Sequence, residues 1–144
     1  MKRIICVAAA VAGAALVVPA TAQAAPVPVQ QSPATTMVSS GLAVAMLWRA
    51  NVAVQTRSAG VVSISAPADG RICMSNGYAT LIRVDYVNRT TGARGGVTVK
   101  PCQNFANPTP AAVDARTGAG NVTFTTTFVG APMAVPGKGS FTVR

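Results

Sequence analysis

Apolar and polar positions alternate with period two through most of the chain beyond residue 50, the pattern of strands that bury one face. Tyr78–Val87 is the longest such run. Tyr78, Thr80, Ile82, Val84 and Tyr86 fall on one side of it, and Arg83 and Asp85 on the other. In Gly96–Lys100, Val97 and Val99 read inward while Thr98 and Lys100 read outward. The polar, glycine-bearing stretch Asn88–Gly95 between these runs has the composition of a hairpin loop. Asn121–Phe128 predicts a third strand, with Val122, Phe124, Thr126 and Phe128 opposed to Thr123, Thr125 and Thr127. Pro136-Gly137-Lys138-Gly139 predicts a turn into a last strand, Ser140–Arg144, which points Phe141 and Val143 inward.

The first half is less regular. Val52 and Val54 alternate with Ala53 and Gln55, Val61–Ser65 is a short β-branched run, and Pro67-Ala68-Asp69-Gly70 has turn composition. Gly41–Trp48 alternates at Leu42, Val44, Met46 and Trp48, yet it is rich in Ala, Leu and Met, and Ser39 or Ser40 could cap a helix. Its neighbours read as strands, so strand is the expectation there. Residues 103–119, with Pro108 and Pro110, read as a long loop. Six to eight short strands with regular turn signals predict an all-β fold, an antiparallel β-sandwich, with the immunoglobulin arrangement as one candidate topology. Trp48 precedes both later cysteines instead of lying between them, a departure from a true immunoglobulin domain.

The N-terminus has a different pattern. Lys2 and Arg3 precede an unbroken apolar run, Ile4–Val18, which Pro19 ends, and Ala22-Gln23-Ala24 offers the small residues that a signal peptidase reads. The run is short for a membrane span. The expectation is a signal peptide at 1–24, cut after Ala24, and a protein that is secreted or cell-wall associated. Residues 25–36 carry Pro26, Pro28 and Pro33 and predict an extended, solvated leader ahead of a β-domain at 37–144.

Export changes how the cysteines are read. Cys6 falls inside the signal, which leaves Cys73 and Cys102 as an even pair in an oxidising compartment, hence one structural disulfide. Without His or nearby carboxylates the pair makes a poor metal site, and its spacing is unlike the CxxC of a redox catalyst. No cofactor is expected.

The stretch Val84–Gly92, followed by Gly95–Val99, resembles the hairpin of small exported β-sandwich proteins of actinobacteria. The closing Pro136–Val143 is similar to their last strand. The resemblance covers about a third of the mature chain and implies a fold and a secretory life, with no activity attached. The chromophore-binding apoproteins of the same bacteria share the size class, but they carry two disulfides and an acidic surface, and this chain has neither.

Charge supplies the remaining clue. Lys2 and Arg3 leave with the signal, so ten cations stand against Asp69, Asp85 and Asp114, a net charge of +7. That balance favours anionic partners. Catalytic chemistry has little to work with: there is no His and no Glu, and the three aspartates are far apart in sequence. Asp69 and Asp114 read as loop carboxylates, and Asp85 as a surface partner for a cation. No phosphate-binding glycine loop or hydrolytic triad can be assembled. The chain therefore reads as non-catalytic.

Arg83, Arg89, Arg94 and Lys100 would cluster on one hairpin if its two strands pair, and they are the candidate anion- or partner-binding residues. Anionic cell-wall polymers or an extracellular protein are the expected partners. Nucleic acid is a poor match, because the aromatics do not interleave with the cations. The alternative is a secreted effector, either a cationic antibacterial protein or a protease inhibitor; Lys100-Pro101-Cys102 is the one segment with an inhibitor loop's character. Asn88-Arg89-Thr90 and Asn121-Val122-Thr123 match the glycosylation sequon, which in a bacterial chain is a coincidence of composition.

Overall fold

A computed structural model describes residues 24–41 and 44–144. The signal segment expected at 1–24 lies outside those residues except for Ala24, as do Leu42 and Ala43. The strands are β1 (Pro26–Val27), β2 (Val29–Ser32), β3 (Ala34–Ser39), β4 (Ala45–Ala50), β5 (Ala53–Ser58), β6 (Val61–Ser65), β7 (Ile82–Asn88), β8 (Arg94–Val99), β9 (Val113–Arg116), β10 (Gly120–Phe128) and β11 (Gly137–Val143). One helical turn, α1 (Gly70–Cys73), and a 3-10 turn at Asn76–Ala79 interrupt them.

Every strand pairing is antiparallel. One sheet has the order β1-β5-β6-β9, a second β2-β11-β10-β7-β8, and β3-β4 forms a two-stranded ribbon. Val54, Val62, Ile64 and Ala115 from the first sheet share one core with Ile82, Val84, Val122, Phe124 and Phe141 from the second. The chain forms an antiparallel β-sandwich with one disulfide, Cys73–Cys102, whose Cα atoms are 5.6 Å apart. Trp48 of β4 is buried and meets Phe128 edge-on, with ring centroids 4.8 Å apart. Side chains of this size each gain about 1.5–3 kcal/mol from full burial, and they decide which face of each strand turns inward.

Three segments depart from the sequence expectation. Residues 25–36 are extended but paired rather than solvated: β1 pairs with β5, and β2 with β11. Pro28 and Pro33 fall at the breaks between β1, β2 and β3, where the chain leaves one sheet for the next and a missing N–H costs no ladder bond. Pairing therefore starts at Pro26, well before Met37. Tyr78 is exposed and belongs to the 3-10 turn, so the strand expected over Tyr78–Val87 begins at Ile82. Local caps override the alternation there. The Asp69 carboxylate accepts from the Ile72 N–H at 3.0 Å, and the Ser75 hydroxyl accepts from the Gly77 N–H at 3.0 Å. Within the expected loop 103–119, Val113–Arg116 forms β9 and pairs with β6. The turn expected at Pro136–Gly139 comes earlier, because β11 already starts at Gly137.

The seams between sheets are held by side chains as well as ladders. Gln31 of β2 donates through Nε2 to the Val52 carbonyl at 2.9 Å and accepts through Oε1 from the Val52 N–H at 2.8 Å, standing in for a strand partner. Gln31→Leu will leave both buried Val52 backbone groups unpaired and cost about 2 kcal/mol, seen as a lower urea midpoint at unchanged slope. Gly137 packs against the backbone at Pro33 and Ala34, where an added Cβ would come within 2.3 Å of the Ala34 nitrogen. Only glycine fits that approach.

Candidate anion-binding pole

The topology brings four chain segments to one end of the sandwich: the β5–β6 turn, the β7–β8 hairpin, the β9–β10 turn and the end of β11. Gly118 donates its N–H to the Gly60 carbonyl at 2.9 Å, and Arg89 donates to the Asn121 carbonyl at 2.7 Å, so adjacent loops are tied together. Asn88 is the hub. It is fully buried, and its amide makes four bonds: Nδ2 donates to the carbonyls of Thr117 (2.8 Å) and Ala119 (2.9 Å), while Oδ1 accepts from the N–H groups of Thr90 (2.9 Å) and Thr91 (3.1 Å). Its sequon is thus a structural element, with no exposed amide to modify. Gly120, at φ +122, closes the second loop under Thr90, where a Cβ would collide with the threonine side chain.

The three aspartates are all committed. Asp85 pairs with Arg83 at 2.8 Å, Asp114 with Arg57 at 3.4 Å, and Asp69 lies 3.8 Å from Arg71. These pairs are half-exposed or more and add little stability. Their effect on the surface is larger, because they leave seven cations without an aspartate partner among the described residues. Four of the seven, Arg89, Arg94, Arg116 and Arg144, are exposed on the segments that meet at this pole.

The sequence-derived cluster is therefore only half assembled here. Arg89 and Arg94 flank the hairpin tip as expected. Arg83 shares their strand pair, but Asp85 neutralises it. Lys100 lies six residues beyond Arg94 at the far end of β8, about 20 Å away at strand spacing. It is half-buried, and its carbonyl accepts from the Ala111 N–H at 2.9 Å. Pro101 and Cys102 behind it are fully buried, so that segment lacks the exposed, extended shape of an inhibitor loop.

Arg116 and Arg144 replace the two lost cations. Arg116 went unread because β9 itself did; its alternation of Val113 and Ala115 against Asp114 and Arg116 was the available signal. The buried Tyr86 hydroxyl donates to the Arg116 carbonyl at 3.3 Å, while the same Tyr86 ring covers Gly95 beside Arg94. One aromatic side chain thus fixes the backbone on both sides.

Two depressions lie on the surface, and one of them reaches Arg144. The larger, of about 810 Å³, opens at the seam where β1 passes into β2 beside β11, with Asn121, Thr142 and Arg144 in its wall. A shallower one of about 450 Å³ lies on the outer face of the five-stranded sheet, around Thr123, Thr125, Lys138 and Ser140. Among the described residues, no group of three His, Cys, Asp or Glu side chains could hold a metal ion, and no helix is long and apolar enough to cross a membrane.

No known protein family, curated protein or solved structure matches this chain. The site must be read from its own chemistry.

Proposed function

We propose that the protein is a non-catalytic binding module, exported to the cell envelope or the medium, that holds anionic polymers on its arginine pole. The observation that carries this reading is the sorting of charge: every aspartate pairs with Arg57, Arg71 or Arg83, and four arginines without an aspartate partner gather at one end. Like charges within a Debye length of about 10 Å repel one another, and a bound polyanion relieves that repulsion. Arginine also suits phosphate or carboxylate groups, which its planar fork can engage in two parallel bonds. The segments carrying Arg89, Arg94 and Arg116 are cross-tied through Asn88, so little ordering is needed there when a ligand arrives. The paired cysteines and the signal-like N-terminus support an oxidising, extracytoplasmic setting.

A column of immobilised polyglucuronate tests the reading, with neutral dextran as control. The mature chain will bind the first and not the second, and R89A/R94A/R116A will elute at markedly lower salt. Equal elution of the variant and the parent would overturn the assignment of the pole.

A further inference from the structure

We infer that cleavage after Ala24 completes a binding site for an acidic sugar in the seam cavity. This rests on the proposed polyanion-binding function and names the unit that the seam would recognise. Ala25 lines the cavity together with Arg144, and its position is fixed because its carbonyl accepts from the Thr56 N–H at 2.8 Å. In the uncut chain the Ala25 nitrogen is an uncharged peptide amide. Cutting after Ala24 makes that same atom an ammonium with three donors, carried by a residue that lines the 810 Å³ depression. Export and ligand competence then become one event.

The lining suggests the ligand's chemistry. Pro26, Val27 and Pro28 give it apolar patches, and Thr56, Asn121 and Thr142 add short polar groups. Apolar and polar positions interleave too closely for an acyl chain. A sugar ring, with C–H faces and a hydroxyl edge, matches that texture, and its carboxylate or phosphate would meet the Ala25 ammonium and the Arg144 guanidinium. About 810 Å³ lies within the range of small-ligand sites, roughly 300–1,000 Å³. With no His or Glu in the chain, the site holds its ligand without transforming it.

The test is a ¹⁵N NMR titration of the chain starting at Ala25 with a disaccharide ending in glucuronic acid, compared with the neutral disaccharide ending in glucose. Shifts are expected at residues 25–28, Asn121 and 140–144 with the acidic sugar only. Acetylating the Ala25 amine removes one charge and no side chain, and it will weaken binding about tenfold, the loss of one charge-assisted hydrogen bond. T142W fills the cavity at an exposed strand position and will abolish the shifts while the spectrum stays dispersed.

R89A/R94A/R116A will bind the disaccharide like the parent even as it loses polymer retention, so failure of the seam site and failure of the pole read differently. Undiminished binding after acetylation, or equal binding of the neutral sugar, would overturn the inference. So would shifts that appear only at the hairpin, or none at all.

Discussion

Asn88→Ala will lower the melting temperature by about 10–20 °C, the largest effect of any single polar substitution in this protein. The side chain is fully buried and makes four hydrogen bonds that join the β7–β8 hairpin to the β9–β10 turn. Alanine leaves two carbonyls and two N–H groups without those partners, the Thr117 carbonyl at a buried position and the other three at part-buried ones. A buried group left unpaired costs about 1–3 kcal/mol and a part-buried one less, since water can reach it, which brings the total to about 3–4 kcal/mol. For a domain of this size, each kcal/mol moves the midpoint by roughly 3–6 °C. Asn88→Asp separates hydrogen bonding from shape, because the carboxylate keeps the two accepted bonds and loses both donated ones. It will fall at or below the alanine variant, since a buried carboxylate would then face two carbonyl oxygens. Calorimetry on the three proteins checks this; an Asn88→Ala shift under about 3 °C would mean that the two loops hold their places without the hub.

The second large effect concerns the disulfide. C73S/C102S will lose about 3–4 kcal/mol, the chain-entropy value for a closed loop of this length. Cys73 and Cys102 are 29 residues apart in sequence and both fully buried, and the bond ties α1 to the segment that follows β8. The Ala106 N–H also donates to the Cys73 carbonyl at 3.0 Å, so the loop carrying Phe105 depends on the same anchor. Trp48 is the single tryptophan and is buried against Phe128, so its fluorescence reports global unfolding directly. In a urea titration the serine pair will show a lower midpoint. An unchanged midpoint would mean that the closed loop adds nothing to the core. Polyanion retention at low temperature will survive the change, because the disulfide and the arginine pole lie at opposite ends of the sandwich.

Strands whose inner face carries several large apolar residues were legible in the sequence. β7 from Ile82 and β10 both bury every second residue, and the hairpin joining β7 to β8 fell where its polar residues placed it. β9 was not legible, because four residues with only Val113 and Ala115 turned inward carry too weak an alternation beside the nearby prolines. β1 and β2 were hidden by the prolines themselves, which mark sheet-to-sheet crossings here and not a solvated tail. Tyr78 was misassigned because alternation alone cannot register the caps supplied by Asp69 and Ser75.

The candidate site divided along the same line. Arg89 and Arg94 belong to one local hairpin, so their proximity was legible from spacing. Arg116 and Arg144 reach the pole only through long-range pairing of β9 with β6 and of β11 with β10. The loss of Arg83 to Asp85 depends on side-chain geometry that spacing alone leaves open.

In the proposed function, the position of the arginines, and not the net charge, makes the surface a binding site. Sedimentation with purified cell envelopes across a salt series tests it most directly, using two variants of equal charge. R89A/R94A/R116A removes three cations from the pole, and R49A/K100A/K138A removes three that lie elsewhere and also lack an aspartate partner. Raising salt from about 0.1 M to 1 M shortens the Debye length from about 10 Å to about 3 Å and will release the parent protein. The pole variant will fail to sediment even at low salt, while the second variant follows the parent. Equal losses in both variants would reduce the effect to net charge and rule out the pole as a binding site.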